Sequence, residues 1–187
     1  YIKFWPSLPE MPLIVPIVAS IIVGIISGVI TGLIISKLKV PAFLAGLGLQ
    51  LIIYGGNLLF MKKAPNNSQP LAGFKESFTK FGTGSVAGVN YLIIVAFVVM
   101  IAVYIILNMT TLGKNIYATG GNREAAKVAG INVFKIDMFV YILSGALAAL
   151  AGCMLAARTG SANATYAEGY EMDAIASCII GGASFTG

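Results

Sequence analysis

Four long apolar stretches without any charged residue alternate with polar gaps along the chain. A helix needs about 20 apolar residues to cross the roughly 30 Å hydrocarbon core of a bilayer. Charged residues follow three of the stretches directly, at Lys37, Lys62 and Arg158. The pattern therefore predicts four membrane-spanning helices, at residues 12–36, 41–61, 91–107 and 138–157.

A fifth apolar run, residues 174–187, is too short to cross a bilayer. It is either a re-entrant half-helix or the first part of a truncated span. The sequence begins at Tyr1 without an initiator methionine, so we expect a fragment that lacks N- and C-terminal helices. The predicted fold class is all-α, a polytopic membrane protein with four full spans and one partial span.

Two polar segments separate the predicted spans, and each leaves two interpretations open. In residues 62–90, three phenylalanines at helix-like spacing indicate either a short interfacial helix or an irregular loop with buried rings. In residues 108–137, Asn122 is a good helix N-cap and Gly130 is a good stop, which predicts a short helix between them. That helix either lies on lipid or docks a soluble partner.

Composition excludes several classes of protein. Hydrophobic residues make up 58% and charged residues only 10% of the chain, which is typical of a protein in contact with lipid. The net charge is +5, but the basic residues lie in the gaps between apolar stretches, so we expect no nucleic-acid partner. The chain has no histidine and no clustered metal ligands, so no metal or cofactor is expected. No phosphate-binding glycine loop of the P-loop type is present either.

Small residues recur at every fourth position in two predicted spans, which places them along one ridge of each helix. In the first span these are Ser20, Gly24, Gly28, Gly32 and Ser36. The fourth span has a column of Ser144, Ala148 and Gly152, beside another of Gly145, Ala149 and Cys153. Small residues let helix backbones approach closely in a membrane. The ridges indicate either static packing or helices that slide during transport.

Polar groups near the spans are candidates for a substrate path. Gln50, Tyr54 and Asn57 share one helical face, where they either line a path or bond neighbouring helices. Glu171 and Asp173 precede the last apolar run, where they either bind substrate or complement a helix dipole. The four predicted spans contain no acidic residue, which disfavours a membrane-embedded enzyme and an ion-coupled carrier.

Several motifs carry a specific resemblance. Glu124, Ala125 and Ala126 are followed at the expected distance by Gly130, and Gly121 and Asn122 precede them. Together with residues 43–55, 112–118 and 169–184, they resemble the ribose and galactose branch of ATP-binding-cassette importer permeases. The resemblance covers nearly the whole chain.

The resemblance implies a single transmembrane permease domain over residues 1–187, in the bacterial inner membrane. It implies transport of a monosaccharide such as galactose, methyl galactoside or ribose, with a second permease copy and an extracytoplasmic sugar-binding protein. ATP hydrolysis would reside in a separate cytoplasmic ATPase subunit, docked on the loop around Glu124. The Lys and Arg residues divide evenly between the two predicted sides of the membrane, so their count does not decide the topology. The resemblance implies that the loop around Glu124 lies on the cytoplasmic side. The alternative function is an ion-coupled secondary carrier for a small polar solute.

Overall fold

The computed structural model describes residues 14–62 and 69–183. In order along the chain, its helices are α1 (Ile14–Leu38), α2 (Ala42–Lys62), α3 (Glu76–Thr83), α4 (Tyr91–Met109), α5 (Thr111–Gly121), α6 (Arg123–Val128), α7 (Val133–Thr159) and α8 (Tyr170–Ile180). Four of them, α1, α2, α4 and α7, are long and apolar enough to cross a membrane. The predicted all-α polytopic fold with four full spans is confirmed. Residues 12 and 13 of the first predicted span lie outside the described residues.

The main packing contact of the fold is between α1 and α7. Gly24, Gly28 and Gly32 are the buried residues of α1, and all three lie against α7. A Cβ atom on Gly28 would lie 2.5 Å from the carbonyl oxygen of Tyr141, so only glycine permits this approach. Helix α2 contacts α1, whereas no residue of α4 is buried within the described chain.

Short strands lie near the C-terminal end of α7, at the other end of that helix from α6. Strand β1 (Leu71–Ala72) pairs with β4 (Ser161–Ala162), and β2 (Ser85–Val86) forms a hairpin with β3 (Val89–Asn90). Beside them α3 packs on the C-terminal end of α7, where Gly82 approaches the backbone of Ala157 and Arg158. The phenylalanine-rich segment is thus helical over Glu76–Thr83, which rules out the alternative of an irregular loop there.

The polar segment at residues 108–137 is more regular than its sequence predicts. It holds α5, which the sequence pattern does not predict, in addition to the predicted short helix α6. Helix α7 begins at Val133, five residues before the predicted start of the fourth span at Met138, because the Asn132 side chain caps it by accepting from the backbone N–H of Lys135. Asp137 therefore lies inside α7, which corrects the expectation that the spans contain no acidic residue.

The last helix, α8, has 11 residues and is too short to span a bilayer. It includes the first part of the predicted partial span, and Glu171 and Asp173 both lie in its first turn. That position is favourable for carboxylates because the N-terminal end of a helix carries partial positive charge. Residues 184–187 of the predicted partial span lie outside the described residues.

Candidate functional site

A single asparagine organises the start of α6. The Asn122 side-chain oxygen accepts hydrogen bonds from the backbone N–H groups of Glu124 and Ala125, each at 3.0 Å. The backbone N–H of Asn122 also donates to the carbonyl of Ala118 in α5, at 3.1 Å. Asn122 therefore ends one helix and begins the next, and it fixes the angle between them.

A tight turn ends α6. Gly130 has a φ of 81°, which is favourable only for glycine. Its N–H donates to the carbonyl of Lys127, and the N–H of Ile131 donates to the carbonyl of Ala126, both at 3.0 Å. This pair of bonds is the Schellman motif, which satisfies the carbonyls left free at a helix end. The predicted helix bounds, Asn122 as cap and Gly130 as stop, agree with the structure.

The two alanines of α6 differ in exposure. Ala125 is exposed, as expected for a residue that contacts a partner. Ala126, which the resemblance places in the docking loop, is only 3% exposed, so its side chain packs within this chain. The small side chain lets α6 pack against α5 and α7. Val128 presents the apolar surface in its place, since it is 90% exposed.

Glu124 lies in the first turn of α6 and pairs with Lys127, Oε1 to Nζ at 2.7 Å. The hydrogen bond from Lys127 and its positive charge lower the pKa of Glu124 below the usual value for a glutamate, and Lys39 adds to the same effect. Both partners are largely exposed, so the carboxylate remains accessible to a basic group on another protein.

Sequence reasoning missed an ion pair that joins α6 to α7. The Arg123 Nη2 lies 2.9 Å from the Asp137 Oδ1, and the Asp137 side chain is only 9% exposed. Fourteen residues separate the two, and only the reversal of the chain between α6 and α7 brings them together. Both line a cleft of about 600 Å³ next to the end of α1, together with Ser36, Lys39, Glu124 and Tyr141. The sequence signal that could have indicated this pair was Asp137, an acidic residue directly before the apolar stretch 138–157.

The ridge of small residues on α7 that meets α1 is the second of the two columns in its sequence. Ser144, Ala148 and Gly152 form the first column, and they are not buried in the described chain. The neighbouring column makes the contact: Gly145 and Ala149 face Gly24, and Cys153 is buried. Adjacent columns on a helix differ by a rotation of about 100°, which spacing alone does not resolve.

The structure brings together two of the five residues predicted to line a substrate path. The pKa of Glu171 at the start of α8 is lowered first by its own backbone N–H and then by the Gln50 side chain in α2, so these two side chains lie near each other. The same carboxylate accepts from the backbone N–H of Gly169 at 3.1 Å. Tyr54, Asn57 and Asp173 make no side-chain hydrogen bond within the described residues. Residues 14–62 and 69–183 also contain no group of His, Cys, Asp and Glu suited to a metal ion.

Known proteins match nearly the whole chain. The galactose/methyl galactoside import permease protein of Escherichia coli strain K12 is 39% identical over 189 residues, which is 99% of this chain and 56% of the relative. Its counterpart in Salmonella typhimurium is 38% identical over the same shares. The ribose import permease protein of Escherichia coli strain K12 is 41% identical over 157 residues, which is 82% of this chain and 48% of the relative.

The chain spans about half the length of the curated relatives it matches. No solved structure matches it. One family of transport proteins, described as the permease component of the branched-chain amino acid transport system, matches residues 2–187. Four helices fit to cross a membrane accord with such a protein. This match over nearly every residue shows that the chain belongs to the family of branched-chain amino acid transport system permease components.

Proposed function

We propose that the chain is part of the permease subunit of an ATP-binding-cassette importer for a monosaccharide. Relatives named as galactose/methyl galactoside and ribose import permeases support this class of substrate. In this proposal the protein lies in the bacterial plasma membrane, and a second copy completes the sugar path. An extracytoplasmic binding protein delivers the sugar, and a separate ATPase subunit hydrolyses ATP.

Helix α6 is the observation that carries the proposal. It is a six-residue helix, capped at its start and stopped by a tight turn, that lies between two spans. Its outer surface presents the exposed Val128 beside the exposed charges of Glu124 and Lys127. A short, rigid and amphipathic element at the end of a bundle suits a contact with a soluble subunit. We therefore propose that α6 faces the cytoplasm and docks the ATPase.

Gln50 and Glu171 are the candidate contacts for the sugar. Amide and carboxylate groups together recognise sugar hydroxyls, since one donates and the other accepts hydrogen bonds. The two side chains come from different helices, so a change in the spacing of α2 and α8 alters the pair. We propose that Gln50 and Glu171 contact the sugar, with Tyr54, Asn57 and Asp173 further along the path.

An ion-coupled carrier is less well supported. Such a carrier needs an ionisable group within the spans that is available to the coupling ion. Among the described residues of the spans, Asp137 is the only carboxylate, and Arg123 already neutralises it. It also lies at the end of α7 next to α6 rather than near the middle of the span.

Reconstitution tests the proposal directly. The full-length protein would be placed in lipid nanodiscs with its ATPase subunit, and sugar-loaded binding protein would be added. We expect ATP hydrolysis to rise on that addition, and the same proteins in liposomes to accumulate the sugar only when ATP is present. Uptake driven by an ion gradient without ATP would contradict the proposal and support the carrier.

A further inference from the structure

We propose that the Arg123–Asp137 ion pair is a strap that holds α6 at a fixed angle to α7, so that a displacement of α6 moves α7. This inference rests on the proposed function, because it concerns how movement of the docked ATPase reaches the spans. Arg123 and Asp137 are positioning residues, and neither needs to contact the sugar.

The strap follows from how α6 is attached. Its C-terminal end joins α7 through the turn at Gly130, where the backbone is left-handed and a Cβ atom would meet no atom within 4 Å. At its other end Asn122 joins α6 to α5 and sets the angle between those two helices, not the angle to α7. Arg123 is the first residue of α6, and its bond to Asp137 attaches the opposite end to α7 as well. Together with the turn and the packing of Ala126, this ion pair fixes the direction of the α6 axis relative to α7.

The pair is also placed to act on the contact between α1 and α7. Asp137 lies next to Met138, whose sulfur packs close to Gly32, and one turn before Tyr141, whose carbonyl faces Gly28. A force on the Asp137 carboxylate therefore acts about one turn from the contact of Tyr141 with Gly28 in the neighbouring span. In that contact the glycines leave no compressible side chain, so a shift of α7 is passed to α1.

The Arg123–Asp137 pair differs from the other ion pairs because one of its partners is buried and because it links two helices. The Asp137 side chain is 9% exposed, so without Arg123 its charge would be left in a poorly solvated place. The other ion pairs between described residues are local: Glu124–Lys127 lies within α6, and Glu76–Lys80 lies within α3. Neither of them links two helices. Lys80 thus offers a control, because its loss removes an ion pair far from α6.

The test compares variants in the full-length complex reconstituted with ATPase and binding protein. The variants are Arg123→Gln, Asp137→Asn, the double variant, Arg123→Lys and the control Lys80→Gln. We expect either single variant to lower the number of sugars moved per ATP hydrolysed by roughly fivefold or more. The double variant should have a ratio no lower than that of the more severely affected single variant, because each of the three variants removes the same ion pair. Arg123→Lys should restore part of the ratio.

Co-purification of the ATPase distinguishes a strap from a docking contact. It should be unchanged in these variants, since the exposed Glu124, Lys127 and Val128 of α6 are unchanged. Arg123 is the safer position if Asp137→Asn fails to assemble, because its side chain is 56% exposed. A ratio unchanged in Arg123→Gln, or lowered equally in Lys80→Gln, would overturn the strap. An unaltered complex without sugar-stimulated ATP hydrolysis would instead refute the proposed function itself.

Discussion

Gly24 and Gly145 face each other reciprocally, since a Cβ atom on either would overlap the carbonyl oxygen of the other. The two backbones are therefore in direct contact at the crossing of α1 and α7. Contacts this close replace the hydrophobic driving force that helices lack in a membrane. The crossing depends on the absence of two methyl groups, which makes it unusually sensitive to substitution.

We expect Gly24→Ala to destabilise the fold by about 1–3 kcal/mol, the usual cost of overpacking. Gly28→Leu should be worse, because the larger side chain meets the backbone of Tyr141 and Ile142. Thermal unfolding in detergent measures both effects. Gly152→Ala on α7 is the matched control, since a Cβ atom there meets no atom within 4 Å. Equal melting temperatures for Gly24→Ala and Gly152→Ala would contradict the prediction.

Removal of the cap on α6 should loosen that helix. Asn122→Ala leaves the N–H groups of Glu124 and Ala125 without their side-chain acceptor, at a cost of about 1 kcal/mol. We expect faster amide hydrogen exchange at these two residues, measured by mass spectrometry. Asn122→Asp keeps the acceptor oxygen and should retain the protection. Exchange that is unchanged in Asn122→Ala would show that packing alone maintains the helix.

Docking through α6 predicts a specific sensitivity at Val128, whose side chain is 90% exposed. Val128→Trp should weaken association with the ATPase by about fivefold or more, the effect expected at an interface hot spot. Co-purification measures the loss. A helix lying on lipid would tolerate tryptophan, since this residue favours the membrane interface. Val86→Trp, at an exposed valine in the β2–β3 hairpin, is the control that should leave association intact.

The Glu124–Lys127 pair predicts a defined response to pH. A lowered pKa means that the pair is fully formed near neutral pH, and that its contribution is lost as pH falls through that lowered pKa. A ¹³C NMR titration of the glutamate carboxyl groups checks this. Lys127→Gln should raise the pKa of Glu124 toward its usual value. Glu76, whose pKa Lys80 lowers through a hydrogen bond and its charge, should not respond to that change.

The proposed sugar contact at Gln50 and Glu171 predicts a coupled effect on sugar uptake. Gln50→Ala and Glu171→Gln should each raise the sugar concentration needed for half-maximal uptake, because each removes a polar partner from the path. The double variant should fall short of the sum of the two effects, since Gln50 influences the Glu171 carboxylate directly. If the effect of the double variant equals the sum of the two single effects, the two residues act separately.

The four spans could be predicted from the sequence because uninterrupted apolar length is a strong signal. Helix α5 could not, since Gly113, Gly120 and Gly121 lower its intrinsic helix propensity. Helix α5 is stabilised by the Thr110 cap and by the close packing of Gly113 on the carbonyl of Leu107. Helix propensities of single residues include neither of these contacts. The start of α7 was missed because its first turns carry charged residues, which resemble a loop in sequence.

The candidate site was predicted in part for a similar reason. The capping residues of α6 act through neighbours in sequence, so Asn122 and Gly130 were recognisable. The burial of Ala126 and the choice between adjacent columns on α7 depend on the relative rotation of helices. Arg123 and Asp137 meet only after the chain reverses between α6 and α7, so no local pattern joins them.

The position of Gly145 along α7 has a mechanical consequence. The helix has 27 residues, so it is about 40 Å long, and Gly145 divides it into nearly equal arms. With the crossing at Gly24 and Gly145 as a pivot, a tilt of about 10° displaces each end by about 3–4 Å, from helix rise alone. The two displacements have opposite directions. A rotation about this point would therefore widen the space beside α7 on one side of the membrane and narrow it on the other.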